Sequence, residues 1–122
     1  MSPVTVVKLL SYGRIALGVA GVAAPQTWSG WVGRVAEQPD GQVLVRGFGA
    51  RDVLLGFMTA HVAERPGVGP RTVGAVALMD VVDLASTLAA RKSLPSSGVA
   101  ATAAVAGGAA AAGFWAARAL DA

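Results

Sequence analysis

The chain has 122 residues, of which 54% are hydrophobic and only 14% are charged, whereas an average soluble domain has about 25% charged residues. This composition excludes a disordered chain and argues against a soluble domain, whose outer surface must be solvated. The length allows one domain, which we assign to residues 1–122. The net charge of +3 comes from cations scattered through apolar runs, so we expect lipid head groups and no nucleic acid as partners.

Four apolar stretches follow one another along the chain, at residues 4–24, 43–63, 73–90 and 99–120. Each has nearly or fully the roughly 20 residues that a helix needs to cross a hydrocarbon core. Backbone groups in lipid must be satisfied within the segment, so we predict four transmembrane α-helices. The last two connections are short and rich in proline and glycine, which predicts an all-α, up-down four-helix bundle.

The longest connection carries two tryptophans and is predicted to form a short helix over residues 27–37. Trp28, Trp31, Val32 and Val35 share one helical face there, which is typical of a segment lying in the membrane interface. The alternative interpretation is a loop whose tryptophans plug the end of the bundle.

Positive charges in the connections and near the ends of the predicted helices predict the orientation of the protein. Four lie on the side of the two termini, namely Lys8, Arg65, Arg71 and Arg118, and three lie on the other side, namely Arg34, Arg91 and Lys92. Since basic residues are more frequent on the cytoplasmic side, we predict a multi-pass cell-membrane protein with both termini in the cytoplasm.

Charged residues within the predicted spans are the strongest functional signal. Each costs roughly 2.5 to 3.5 kcal/mol near the bilayer centre. The cations are Arg14, Arg46 and Arg51, and the anions are Asp52, Asp80 and Asp83. Three cations match three anions, so we predict one buried, near-neutral polar cluster inside the bundle. Asp80 and Asp83 lie one turn apart on one face of the third helix, which is costly in apolar surroundings unless an arginine or a metal neutralises one of them.

Small residues predict where the helices pack closely. Gly49, Asp52 and Gly56 form one stripe of the second helix, so Asp52 is expected to face a neighbouring helix across a close contact. Residues 103–113 of the fourth helix are almost wholly alanine and glycine. We therefore expect that helix to serve packing or homo-oligomerisation and to carry no chemistry.

The run from Arg46 to Gly56 resembles a signature found in small four-span bacterial integral membrane proteins of unknown function. Residues 49–56 match its pattern G-x-R-D-x-x-x-G, and the pair Asp80 and Asp83 matches a D-x-x-D pair on the third helix. The resemblance implies membrane residence and a four-helix fold, and it implies no activity.

Three functions are compatible with the predicted cluster. The first is a structural, accessory or binding protein of the membrane, in which the charges fix helix register. The second is a membrane-embedded isomerase or cyclase, with Asp52, Asp80 and Asp83 as candidate acid and base and the arginines binding a lipophilic substrate. The third is an oligomeric proton or cation transporter.

No cofactor or metal is predicted from the sequence. Cysteine is absent and His61 is the single histidine, so thiolate and paired-histidine metal sites are excluded. No glycine-rich loop follows a strand, as a nucleotide site would require.

Overall fold

The computed structural model describes residues 1–122, and all of its regular elements are helical. The α-helices are α1 (Pro3–Ala23), α2 (Ser29–Val32), α3 (Pro39–Val62), α4 (Val68–Ala89) and α5 (Ser96–Asp121). Short 3₁₀ turns at Pro25–Trp28, Gly33–Glu37 and Arg91–Ser93 complete the fold. The predicted all-α class is confirmed, and the four long helices coincide with the four apolar stretches.

Three of the long helices begin several residues before their apolar stretches. The hydropathy pattern placed the second, third and fourth starts at residues 43, 73 and 99, whereas α3 begins at Pro39, α4 at Val68 and α5 at Ser96. A helix leaves its first four N–H groups without partners, so polar residues and proline are tolerated in its first turn. The residues assigned to connections therefore form the first turns of these helices.

Glycines allow α1 and α3 to pack antiparallel at very short distance. A β-carbon on Gly18 would lie 2.8 Å from the backbone nitrogen of Val53, and one on Gly49 would lie 2.6 Å from the carbonyl oxygen of Gly18. Further along, a β-carbon on Gly56 would lie 2.7 Å from the carbonyl oxygen of Ser11. The glycine stripe of α3 thus makes the close helix contact that its spacing predicts, and its partner is α1.

The second tight pair is α4 with α5, which also run antiparallel. A β-carbon on Gly113 would lie 2.9 Å from the β-carbon of Ala77. The contact between α3 and α4 is much less extensive than either glycine-mediated pair. The side chains of Arg51 and Asp83 meet between those two helices. Because these side chains occupy more space than glycine does, the two helix axes stay further apart.

Small residues fill the interior and large apolar residues cover the surface. The largest fully buried side chains are those of Val7 and Pro25. By contrast, Leu54, Phe57 and Leu78 are each close to 60% exposed, at 59%, 61% and 58%. A soluble protein rarely exposes so large an apolar surface, whereas small residues inside and apolar residues outside are typical of helices packed in lipid.

Three helices, α1, α4 and α5, are long and apolar enough to cross a membrane. α3 has sufficient length, but it contains Arg46, Arg51 and Asp52, and its composition alone does not identify it as a span. The structure is therefore compatible with a membrane protein and has three candidate spans.

The segment between α1 and α3 does not form the single helix predicted over residues 27–37. Gly33 has a φ of +79°, which interrupts the helical path, and the segment consists of two 3₁₀ turns flanking α2. Trp28 Nε1 donates to the carbonyl oxygen of Leu17 at 3.2 Å, and Trp31 Nε1 donates to Thr87 Oγ1 at 3.0 Å. Both indoles therefore reach into the end of the bundle, as the alternative interpretation expected.

Candidate functional site

Ionic side chains from three helices meet at mid-height of the bundle. Arg14 of α1 places Nη2 2.7 Å from both carboxylate oxygens of Asp80 on α4. Its Nη1 lies 3.6 Å from Oδ1 of Asp52 on α3. The side chains of Arg14 and Asp80 are 12% and 9% exposed. This charge-assisted contact links α1 to α4, two helices that make little direct contact with each other.

A second arginine joins this group from α3. Arg51 Nη2 lies 3.9 Å from Asp52 Oδ1 and 4.0 Å from Asp83 Oδ2. The guanidinium carbon lies 4.9 Å from the ring centroid of Phe48, within the range of a cation–π interaction. Arg14, Arg51, Asp52, Asp80 and Asp83 together form what we call the ion cluster.

Arg46, predicted as the third cation of the cluster, lies elsewhere. Its Nε donates to the carbonyl oxygen of Val22 at 3.2 Å, and the side chain is exposed. Val22 belongs to the last turn of α1, where carbonyl groups lack helical partners. Two arginines therefore face three aspartates in the ion cluster, which leaves one carboxylate in excess instead of the balanced set that the sequence count indicated.

The three carboxylates differ in how well they are satisfied. Both carboxylate oxygens of Asp80 accept a hydrogen bond from Nη2 of Arg14. For Asp52 and Asp83 the nearest cation lies 3.6 Å and 4.0 Å away, beyond hydrogen-bonding distance. Oδ1 of Asp52 is buried and has no hydrogen-bond partner. Asp52 and Asp83 therefore keep unused acceptor capacity in an apolar interior.

A groove runs beside the ion cluster, between α1 and α5, and its volume is about 720 Å³. We call it the lateral groove. Its walls include Leu9, Gly13 and Leu17 of α1 and Ala101, Val105 and Gly108 of α5. Leu9 and Leu17 are each 54% exposed and Val105 is 61% exposed, so the groove opens through the side of the bundle.

The lateral groove is closed at both ends. At one end α1 meets α5 where Val7 and Ala116 pack in one buried cluster. At the other end α2 lies on the first turn of α5, since a β-carbon on Gly98 would lie 2.8 Å from the carbonyl carbon of Gly30. Trp28 and Trp31 line the groove near that end. The result is a window in the side of the bundle and not a channel along its axis.

All three aspartates of the ion cluster, together with Arg14, line the floor of the lateral groove. Apolar walls with a few convergent polar groups are typical of small-molecule sites, and such sites have volumes of about 300–1,000 Å³. No group of three or more histidine, cysteine or acidic side chains is arranged to hold a metal ion.

All four floor residues were singled out from the sequence, but the groove was not predicted. The walls depend on Gly13 and Gly108, where an added β-carbon would meet no atom within 4 Å. Gly108 was expected only to assist packing or oligomerisation, and Gly13 was not singled out. The one available signal was that Gly13, which has no side chain, stands next to the charged Arg14 in the middle of an apolar helix.

The chain matches no known protein family, and neither the curated proteins nor the solved structures include a similar one. The resemblance to four-span membrane proteins therefore depends on the short helix motifs alone, and the function has to be inferred from the site.

Proposed function

We propose that this chain is a four-span integral membrane protein that binds a lipophilic molecule in the lateral groove, and so acts as a binding or accessory protein of the membrane. The observation that carries the proposal is the groove itself. It has the volume of a ligand site, apolar walls, a charged floor and an opening that faces sideways. In a bilayer such an opening faces the acyl chains, so a lipophilic molecule reaches the floor without crossing water.

The proposal treats α3 as the fourth span, which two features support. α3 packs antiparallel along α1, so both helices have the same extent across the membrane. Many of its outward side chains are apolar, including Leu44, Phe48 and Phe57, which are 63%, 48% and 61% exposed. Asp52 points inward to Arg14, and the exposed Arg46 bonds the last turn of α1, near the end of that helix.

Single-cysteine labelling tests the span count and the proposed cytoplasmic location of both termini. The chain contains no cysteine, so Arg34→Cys, Arg65→Cys, Lys92→Cys and Asp121→Cys each introduce one exposed thiol. In intact cells an impermeant maleimide should label positions 34 and 92, and positions 65 and 121 only after permeabilisation. Labelling of position 65 together with position 34 would mean that α3 does not cross the membrane, and the reverse pattern would invert the orientation.

Filling the lateral groove tests whether it binds a ligand. Gly13→Leu and Gly108→Leu add a side chain to the groove at positions where a β-carbon would meet no atom within 4 Å. Gly47→Leu is the matched control, because it adds leucine to an equally open glycine on α3 outside the groove. Native mass spectrometry from mild detergent should find a lipophilic mass on the unmodified chain and on Gly47→Leu, and none on the two groove-filled variants. Retention of the same mass by all four proteins would refute the proposed site.

The same measurement addresses the proposed role of α5 in homo-oligomerisation. Ala101, Ala104 and Gly108 line the groove from α5, so a second copy docked through these small residues would cover the groove. An empty dimer that dissociates in the Gly108→Leu variant would show that the groove is a subunit interface, and it would replace the ligand proposal.

An acid–base enzyme acting on a lipophilic substrate is the second candidate. It is favoured by the unused acceptor capacity of Asp52 and Asp83 at the groove floor. Asp80 fits this role poorly, because both of its oxygens are held by Arg14. Conversion of a retained ligand to an isomer of unchanged mass, detected by chromatography after release, would support the enzyme. A ligand that is released unchanged after prolonged incubation would contradict it.

A further inference from the structure

The charges on the groove floor indicate what kind of head group the ligand carries. We infer that the lateral groove binds a monocationic amphiphile, namely a long-chain amine in its ammonium form. This inference rests on the proposed ligand-binding function of the groove. It depends on three observations: the charge balance of the floor, the unsatisfied acceptors on it, and the aromatic residues at one end.

The charge balance favours a cation. The ion cluster has two arginines, Arg14 and Arg51, and three aspartates, Asp52, Asp80 and Asp83. One negative charge is therefore in excess in apolar surroundings, where an unpaired charge is very costly. Arg46, which could have balanced it, is turned away towards Val22. One positive charge on the ligand makes the occupied site neutral.

The geometry of the acceptors favours an ammonium group with N–H donors. Asp80 is already satisfied by Arg14, whereas the contacts of Asp52 and Asp83 with arginine are 3.6 Å or longer. The side chain of Asp83 is 26% exposed, against 9% for Asp80, so Asp83 is the more accessible acceptor. A primary ammonium has three donors, enough to bond both Asp52 and Asp83.

The rest of the lateral groove suits the other parts of such a molecule. Trp28 and Trp31, with ring centroids 5.4 Å apart, line the groove near one end, and indole faces attract ammonium groups. Leu9, Leu17 and Val105 provide an apolar track that continues to the lateral opening. A hydrocarbon tail can therefore leave through the opening while the head group stays on the floor.

A series of probes with one chain and three head groups tests this inference. The probes are twelve-carbon chains with a bromine on the sixth carbon, so that it stays inside the groove, and with an ammonium, a hydroxyl or a carboxylate head group. Bromine quenches tryptophan on contact, and a Trp115→Phe background leaves only the groove-lining Trp28 and Trp31 as reporters. Titrations are made in lipid nanodiscs, and quenching in the Gly108→Leu variant is subtracted as the contribution of the surrounding lipid.

We expect the ammonium probe to bind about tenfold more tightly than the hydroxyl probe, as charge-assisted hydrogen bonds predict. The carboxylate probe should bind most weakly. Asp83→Asn and Asp52→Asn should each remove most of the ammonium preference, and folding should persist because each arginine keeps an acidic partner. Asp121→Asn, which removes an exposed carboxylate at the end of α5, should leave the preference unchanged.

The possible failures of the two proposals are distinguishable. Equal binding of the ammonium and hydroxyl probes, both abolished by Gly108→Leu, would overturn the cationic ligand and leave the proposed binding function standing. A preference for the carboxylate probe would likewise overturn it and indicate that the arginines hold the head group. If Gly108→Leu does not reduce the quenching caused by any of the three probes, the groove is refuted as a binding site, and the inference is refuted with it.

Discussion

The contact between Arg14 and Asp80 predicts an asymmetric loss of stability when either residue is replaced. Arg14→Met leaves Asp80 without a cation within 4.0 Å, since its only salt bridge is to Arg14. Removing one partner of a buried pair costs about 3–5 kcal/mol. Asp80→Asn is milder, because Arg14 keeps Asp52 at 3.6 Å. We expect a loss of about 1–3 kcal/mol for that variant, the cost of a weakened buried hydrogen bond.

The free energy of unfolding can be measured by denaturant titration in mild detergent, with tryptophan fluorescence and helical circular dichroism as probes. Arg34→Met is the control, because Arg34 is exposed and forms no ion pair, and its change should stay within about 0.5 kcal/mol. The double variant Arg14→Met/Asp80→Leu should be more stable than Arg14→Met alone, since it removes the stranded carboxylate. A loss for Asp80→Asn equal to that for Arg14→Met would refute the assignment of Arg14 as the residue that bridges two acids.

Three further variants test the packing and the edges of the site. Gly18→Ala should destabilise the protein by about 1–3 kcal/mol by forcing α1 and α3 apart, whereas Gly47→Ala, which meets no atom within 4 Å, should have no such cost; equal unfolding curves would contradict the close contact. Arg46→Gln should change stability by less than about 1 kcal/mol. A loss as large as that of Arg14→Met would contradict the placement of Arg46 outside the ion cluster. Trp31→Phe should lower the free energy of unfolding by about 0.5–1.5 kcal/mol, because it removes the hydrogen bond to Thr87. Thermal unfolding measures this loss, and Trp115→Phe, at an exposed position, should show a smaller one.

The helical class was predictable from the sequence because the length and composition of the four apolar stretches indicate helices. The stripe of Gly49 and Gly56 also predicted a close helix contact, since only glycine permits such an approach, but it did not identify α1 as the partner. The partner of each charge was less predictable. Arg51 and Asp52 are adjacent in sequence and both reach the ion cluster, whereas Arg46 bonds the end of α1 instead. Helical periodicity predicts the face of the helix on which a side chain lies. It does not predict the position along the helix axis of the acceptor that a long arginine side chain bonds.

The lateral groove was not predictable for a related reason. It exists because α1 and α5 touch near Val7 and Ala116 and separate towards α2, and the separation of two helices distant in sequence leaves no local pattern. The predicted helix over residues 27–37 failed because Gly33 adopts a positive φ. Trp31, which lies in α2 just before this break, bonds Thr87 and lines the groove.

The two aspartates of α4 in the ion cluster differ in how much the fold depends on them. Asp80 is 9% exposed and fully engaged by Arg14, so this pair acts as a structural link across the bundle. Asp83 is more open and has only a distant cation, so its carboxylate adds an unfavourable charge that packing does not compensate. Replacing Asp83 by asparagine should therefore leave stability nearly unchanged, or raise it, while replacing Asp80 lowers it. A residue that lowers the stability of the fold is typical of a functional site. Asp83 is such a residue, and it lies on the floor of the groove, where a ligand would reach it.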